Sequence, residues 1–231
     1  MDVRVPGPML DDRPARNTIP RPSTDVAFGS QLRTTLEEGQ RAVNRLIRSY
    51  DEVVADHHLA VAAVALGIAR RLDLDPDTAR GIELAASIHD IGVIGSPDTE
   101  TAVRLAGSSD PEPVHSQAGA AIVDGIRFPW PIAVMILQHH ERMDGSGFPD
   151  GVGGATILLS SQIIAVADTV VNRSDAVPNL TDALDLLVAG RGTGYDPRVV
   201  DACLVLIPRA PGGSGPDAGP DAGPDTGPTL R

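Results

Sequence analysis

The sequence contains no lysine, so arginine supplies all 19 of its basic residues against 31 acidic ones, and the formal net charge is −12. This balance argues against the broad basic face with which proteins bind nucleic acid nonspecifically, so we expect no nucleic-acid partner. An acidic protein can still bind a compact anionic ligand if metal cations or a few placed arginines supply a local positive field.

Cysteine is nearly absent, because the chain has only Cys203. A single cysteine excludes an internal disulfide and a thiolate metal cluster. Its position in the apolar run VVDACLVLI predicts a buried structural thiol. The N-terminal residues also lack the apolar run that a secretory signal or a membrane span needs. We therefore expect a cytoplasmic protein with no membrane partner.

Apolar residues are scarce at both ends of the chain, where glycine and proline are concentrated. Residues 1–29 mix prolines with charges of both signs, and residues 210–231 form a short Gly-Pro-Asp repeat. Such segments bury too little apolar surface to fold, so we expect both to be disordered. Residues 30–209 are then predicted to form one domain, since 231 residues with 42% hydrophobic content suit a single core.

Between these tails, apolar residues recur at helical spacing, for instance at Leu32, Leu36, Val43 and Ile47. Several later segments open with an aspartate or threonine that can cap a helix, or with a proline suited to its first turn. No stretch shows sustained two-residue alternation with hairpin signals. The domain is therefore predicted to be all-α, and the low aromatic content of 3% suits closely packed helices.

The few histidines and some of the aspartates follow a pattern along the predicted helices. In sequence order, five of these helices carry His57, then His89 and Asp90, then His115, then His139 and His140, and finally Asp168. Imidazole and carboxylate groups without cysteine suit iron, manganese, nickel or zinc better than calcium or magnesium. Adjacent residues on a helix diverge by about 100°. Each adjacent pair can therefore serve one site only if it reaches two ions or lies where a helix loosens, and both pairs are predicted at helix ends.

Three motifs in this order, HDIG, HHERMDGSGFP and IIAVAD, resemble the HD-GYP domain, a variant of the HD-superfamily phosphohydrolases that hydrolyses the bacterial messenger cyclic di-GMP. The similarity extends over about residues 50–207 and includes HHLAVAAVALGIARRLDL and GTGYDPRVVDACL. It implies an HD-superfamily helical bundle with a two-metal centre. It also implies a phosphodiesterase that converts cyclic di-GMP into linear pGpG or GMP.

The resemblance implies two divalent transition-metal ions, iron or manganese in the first place, with nickel and zinc as alternatives. Asp90 would bridge the ions and act with His89 in catalysis, while a hydroxide between the ions attacks phosphorus. One ion would also be held by His57, His89 and Asp168, and the other by His115, His139 and His140.

The loop after the adjacent histidines is expected to bind the substrate. Its glycines would let the backbone approach a nucleotide closely, and Phe148 would offer a ring face for a guanine. The predicted substrate-binding residues are Asp144, Gly145, Gly147, Phe148 and Pro149, together with Arg142.

Several residues depart from the family pattern at positions that contact phosphate. Val93 replaces the lysine of HD-x-G-K, Phe148 replaces the tyrosine of GYP, and Gln162 replaces an arginine before IIAVAD. Loss of a general acid typically costs about 10²- to 10⁴-fold in rate, whereas the ligand positions all remain, so we expect slow hydrolysis. Arg142 and Arg173 are the candidate substitutes, although either is equally open to being a surface ion-pair partner.

Two positions near His57 are set aside. His58 is interpreted as a bystander or a supporting group, because Val61 matches the hydrophobic position four residues after the ligand only if His57 is that ligand. Val53 stands where some family members place a glutamate that holds a third metal. We therefore expect two ions, and we interpret Glu52 as a solvated helix charge.

Three functions remain open at this point. The first is a metal-dependent cyclic di-GMP phosphodiesterase with reduced activity. The second is a catalytically degenerate binding or signalling module that keeps the metal ligands and acts through a protein partner or a homodimer. The third is an HD phosphohydrolase of another nucleotide or phosphoester.

Overall fold

A computed structural model describes residues 24–95, 111–171 and 179–207. Its helices are α1 (Thr24–Tyr50), α2 (Glu52–Arg71), α3 (Pro76–Ala86), α4 (Ile91–Gly95), α5 (Pro111–Val123), α6 (Ile132–Leu137), α7 (Leu159–Val171), α8 (Leu180–Ala189) and α9 (Pro197–Leu206). A 3₁₀ turn at Gly154–Thr156 precedes α7. The described residues contain no β-strand, only an isolated bridge between Arg191 and Tyr195. The predicted all-α class is confirmed.

Of the two predicted domain boundaries, the one between residues 29 and 30 lies within α1, and the one between residues 209 and 210 lies outside the described residues. Helix α1 begins at Thr24, so it includes the last residues of the predicted N-terminal tail. Residues 1–23 and 208–231 lie outside the described part of the chain, and the disorder of the two tails stays a prediction. The chain divides into two compact units after Gly39. Residues 24–39 are the helical part of the first unit, and Gln40 begins the second.

Aspartates begin three helices of the second unit, and two of them, Asp75 and Asp196, open segments that the sequence predicted to be helical. The Asp51 carboxylate accepts hydrogen bonds from two backbone N–H groups in the first turn of α2, at 2.8 and 3.1 Å. Asp75 and Asp196 cap α3 and α9 in the same way, each followed by a proline at the start of the helix. These caps satisfy N–H groups that have no partner within the helix itself.

Helix α7 is central to the second unit, because it contacts α2, α3, α6, α8 and α9 and most of its residues are buried. Helix α2 packs against α3, α7 and α9. By length and composition alone α2 could also cross a membrane, but its apolar residues contribute to this core. The core is built from small and branched aliphatic side chains, among them Val61, Ala65, Ile68, Ile82, Ile136, Ile163, Ile164, Leu187 and Val199.

Cys203 lies on α9 and is fully buried in the same core. Burial raises the pKa of its thiol to about 11. At pH 8 only roughly 0.1% of such a thiol is ionised, and the thiolate is the reactive form. We therefore expect a thiol-specific reagent to label the native protein at least about 100-fold more slowly than the protein unfolded in guanidinium chloride. Equal labelling rates in the two states would contradict this burial.

Candidate metal centre

All six histidines of the chain lie in one contiguous cluster within the second unit. Neighbouring imidazole rings have centroids 4.0 to 5.9 Å apart. We call this group the histidine cluster: His57, His58, His89, His115, His139 and His140. The carboxylates of Asp90 and Asp168 lie among these rings, 3.1 to 3.7 Å from the nearest ring nitrogens.

Both adjacent pairs of candidate ligands, residues 89–90 and 139–140, lie in turns that follow a helix. Helices α3 and α6 end before the pairs, so the predicted helices, which included the pairs, were too long. Nδ1 of His89 lies 2.9 Å from the carbonyl oxygen of Ala86, and Nδ1 of His139 lies 2.6 Å from the carbonyl oxygen of Ile136. A continuing helix would offer that carbonyl to the backbone N–H of the second residue of the pair. The ring N–H therefore donates to the carbonyl in place of the backbone N–H that would continue the helix.

These contacts determine which ring nitrogen can bind an ion. A carbonyl oxygen only accepts hydrogen bonds, so Nδ1 of His89 and of His139 carries a proton, and Nε2 is the nitrogen that can bind an ion. Both Nε2 atoms are buried and lack a hydrogen bond of good geometry, as do Oδ1 of Asp90 and Oδ1 of Asp168. Buried polar atoms without partners are uncommon in native proteins. Nitrogen and oxygen atoms grouped in this way fit a transition-metal site.

The potential donor atoms form three groups, in each of which all atoms lie within 4.8 Å of one another. Two of them contain the predicted ligands: one is Asp90, His115, His139 and His140, and the other is His57, His89 and Asp168. The third, His58, His89 and Asp90, shares a residue with each of these two. The Asp90 carboxylate lies between them, with Oδ2 3.2 Å from His89 Nε2 and Oδ1 3.4 Å from His139 Nε2. The structure thus brings together the seven residues that the resemblance implied. Their role as ligands stays a prediction.

The charges of the cluster favour ionised carboxylates. Burial alone would raise the pKa of Asp90, but the charge of His89 and the close approach of His139 lower it well below its usual value. Burial likewise opposes the ionisation of Asp168, but the close approach of His57 and His89 lowers its pKa. In return Asp90 and Asp168 raise the pKa of His89, although burial opposes this. An ion bound by His89 would displace that proton, so acid should weaken binding.

Burial favours the neutral form of His115 and His140. Burial lowers the pKa of His115, and it lowers the pKa of His140 to about 2. Their Nε2 atoms face each other at 2.8 Å. Neutral imidazoles are the form that metal ions bind, so this part of the cluster can accept an ion without first losing protons.

Gly92, the glycine of HDIG, brings α4 against the backbone of α5. A Cβ atom at this position would lie 2.0 Å from the carbonyl oxygen of His115 and 2.6 Å from the backbone nitrogen of Gly119. No other residue type fits such an approach without moving a helix. The contact places His115 opposite Asp90, whose Oδ1 lies 3.6 Å from His115 Nε2.

The glycine-rich loop, residues 144–153, folds back on the second histidine pair. The buried side chain of Glu141 accepts a hydrogen bond from the Asp150 N–H at 2.8 Å. A Cβ at Gly147 would lie 2.4 Å from the carbonyl oxygen of His140. Sequence reasoning missed Glu141, for which the only signal was a charged residue directly between the histidines and the loop.

Phe148 stacks on His140, with ring centroids 4.6 Å apart and an interplanar angle of 27°. One face of the ring is therefore occupied within the protein, and a guanine could use only the other. Asp144, also predicted to bind substrate, is exposed and accepts hydrogen bonds from the N–H and the hydroxyl of Ser146, at 3.0 and 2.6 Å. Gly145 has a positive φ of 79° in the same turn. Of the five predicted loop residues, Gly147 and Phe148 lie against His140 of the second donor group. The role of all five in substrate binding stays a prediction.

Arg142, the predicted phosphate contact, is engaged within the protein. Its guanidinium lies 5.0 Å from the ring centroid of Tyr195 and donates to the carbonyls of Glu141 and His139, at 3.0 and 3.4 Å. A phosphate would have to compete with this cation–π and hydrogen-bonding environment. The other candidate, Arg173, lies outside the described residues.

A cleft of about 680 Å³ opens beside the first donor group. In the described part of the chain its polar lining is Asp56, His57 and Asp90, and its apolar lining is Val53, Val54, Ala60, Val93, Val170, Val171 and Leu180. The Val93 side chain is half-exposed there. The cleft therefore reaches two candidate ligands through largely apolar walls.

Comparison with known proteins agrees with this geometry. A model of the HD domain family matches residues 41–199. The chain belongs to the HD domain family. The cyclic di-GMP phosphodiesterase response regulator RpfG of Xanthomonas campestris is 39% identical over 147 residues, which are 59% of this chain and 39% of RpfG. A cyclic di-GMP phosphodiesterase of Thermotoga maritima is 32% identical over 197 residues, which are 79% of this chain and 52% of that protein.

These relatives, together with the three motifs, make the domain one of HD-GYP type. The chain spans about half or less of the length of the curated relatives it matches. In a solved structure, Bd1817, an HDG"Y"P protein from Bdellovibrio bacteriovorus, has the same fold with a TM-score of 0.52 and 20% identity. The match covers 67% of this chain and 52% of Bd1817.

The close approach at Gly92 can be tested by substitution. Gly92→Ala should force α4 and α5 apart and separate His115 from Asp90. We expect it to destabilise the fold by about 1–3 kcal/mol, as overpacking does, and to weaken Mn²⁺ binding. Denaturant unfolding followed through the single tryptophan, Trp130, and calorimetric Mn²⁺ titration measure the two effects. Gly125→Ala is the matched control, because a Cβ there meets nothing within 4 Å. Identical behaviour of the two variants would show that the contact does not shape the site.

Proposed function

We propose that the protein is a metal-dependent phosphodiesterase of cyclic dinucleotides, with cyclic di-GMP as the first candidate substrate. The observation that carries the proposal is the position of the Asp90 carboxylate, which belongs to one donor group and lies 3.2 Å from His89 of the other. Two ions bound there would supply Lewis-acid chemistry by lowering the pKa of a water molecule and neutralising charge on the phosphate. The names of the two curated relatives support the same activity.

The candidate ligands would be divided between two ions. Asp90 would contact both ions, His57, His89 and Asp168 would hold one, and His115, His139 and His140 the other. The Ala86 and Ile136 carbonyls orient the rings of His89 and His139, which is how such sites hold ligands in position. We propose iron or manganese as the ions, since nitrogen and oxygen ligands without thiolates suit them.

The substrate would enter through the cleft beside His57 and Asp90. Its volume of about 680 Å³ lies within the usual range of small-molecule sites. Its apolar valines can contact the sugar or base of a nucleotide, and the loop at Phe148 lies on the other side of Asp90, beside the second donor group. Val93 offers no proton to a departing ribose oxygen and no charge to a phosphate, so the proposed turnover is slow.

Metal content and turnover measured on one sample test the proposal. The protein is purified without a chelator or a histidine tag, its metals are quantified by mass spectrometry, and the same sample is incubated with cyclic di-GMP. We expect close to two ions per chain and a linear dinucleotide product. The same assay is then run with two further substrates, a mixed guanine–adenine cyclic dinucleotide and bis(p-nitrophenyl) phosphate. Two ions with no turnover of any of these substrates would favour a binding module, and the absence of bound metal would reject the centre itself.

Replacement of Asp90 is the sharpest single substitution. Among the residues that the structure describes, Asp90 is the carboxylate that approaches both donor groups, so we expect Asp90→Ala to lose at least one ion per chain and all measurable turnover. Asp124→Ala, which removes an exposed carboxylate on another part of the surface, should keep both. Unchanged metal content in the Asp90 variant would disprove the assignment.

The position of Val93 allows a gain-of-function test. Val93→Lys would place an ammonium in the cleft beside Asp90, where the family pattern has a lysine. If the missing cation limits the rate, kcat for cyclic di-GMP should rise by about 10-fold or more with unchanged metal content. Val93→Met, a change of comparable length without charge, is the control. A lysine variant no faster than the methionine variant would show that this position does not limit the reaction.

A further inference from the structure

His58, which the sequence pattern set aside, is one of the most deeply buried polar residues of the protein. Its relative exposure is 1%. Neither of its ring nitrogens has a hydrogen-bond partner. A buried imidazole with two unsatisfied nitrogens is costly and uncommon. This residue therefore needs a binding partner that hydrogen bonds do not provide.

The geometry around His58 indicates what that partner is. Its ring centroid lies 4.9 Å from that of His89 and 5.9 Å from that of His57. One donor atom each from His58, His89 and Asp90 lie within 4.8 Å of one another. An imidazole whose nitrogens have no hydrogen-bond partner has a lone pair available for an ion. Nitrogen donors so close to two candidate ligands fit metal coordination.

The tautomer of His89 excludes a separate third ion that would also be bound by His89. Nδ1 of His89 faces the Ala86 carbonyl at 2.9 Å, so only its Nε2 can bind a metal. One nitrogen lone pair binds one ion. An ion bound by both His58 and His89 must therefore be the ion that His89 shares with His57 and Asp168.

We propose that His58 is an additional ligand of the ion held by His57, His89 and Asp168. This inference rests on the proposed two-ion centre. With Asp90 and His58 included, that ion has five candidate protein ligands, whereas the other ion has Asp90 and three histidines. A site with more protein ligands is more closed, and an open position is what a catalytic site needs. The ion near His58 is then the tightly held one, and the ion near His140 is the more exchangeable one.

The test uses the full chain, freed of metal and titrated with Co²⁺, whose visible absorption reports on its ligands. His58→Leu replaces the ring by an apolar side chain of similar size. We expect the affinity of the tighter ion to fall by about 10-fold or more and its absorption spectrum to change, while the weaker ion binds as in the wild type. The melting temperature without metal should stay the same or rise, because two unsatisfied buried nitrogens are removed.

Two further variants separate coordination from packing. Val61→Ala removes buried volume one turn further along α2, so it should lower the melting temperature without changing either Co²⁺ affinity. Asp168→Asn should weaken the same ion as His58→Leu, and combining the two should add less than the sum of their effects. His140→Ala should weaken the other ion, and its effect should add fully to that of His58→Leu.

Wild-type protein with one equivalent of Co²⁺ gives an answer that does not depend on folding of the variants. X-ray absorption should show three coordinated imidazoles, whereas a bystander His58 would leave two. Two imidazoles, or a His58→Leu variant with wild-type Co²⁺ binding, would overturn this inference and leave the two-ion centre intact. A wild-type protein that binds no Co²⁺ would overturn both.

Discussion

The ionised carboxylate of Asp90, partly buried between histidine rings, is the interaction on which the rest of the site depends. A charge removed from water is costly unless it has partners of opposite charge or a metal ion. Here His89 and His139 approach it from the turns that follow α3 and α6, and the close approach at Gly92 brings His115 to within 3.6 Å of it. The surrounding elements therefore bring ring nitrogens to one carboxylate, where a pair of metal ions would supply positive charge.

The same arrangement explains why the histidine pairs lie just past the ends of α3 and α6. A regular helix would turn adjacent side chains about 100° apart. When the ring Nδ1 of His89 or His139 binds a carbonyl in the last turn of the preceding helix, the helix ends there and the other ring nitrogen stays free for the interior. The interruption of each helix is thus part of the construction of the site. The glycine-rich loop follows directly after the second histidine pair. It is held there by the hydrogen bond to Glu141 and by the stacking of Phe148 on His140.

The fold class and the seven candidate ligands could be predicted from the sequence because helical periodicity and linear motifs are local. What could not be predicted depends on tertiary packing. Whether His58 faces solvent or the interior depends on the rotation of α2 against α3 and α7. The engagement of Arg142 depends on Tyr195, which is distant in sequence but adjacent in space. The ends of α3 and α6 were predicted too late in the sequence, because apolar periodicity does not reveal the contacts between histidine rings and carbonyl oxygens that end these helices.

The central claim is that Asp90 lies between two ions. Anomalous X-ray diffraction at the manganese absorption edge, from crystals of the Mn²⁺-loaded protein, tests it most directly. The account predicts two anomalous peaks about 3.5–4 Å apart, as in other two-metal sites, with Asp90 in contact with both. A single peak, or two peaks without Asp90 between them, would contradict it.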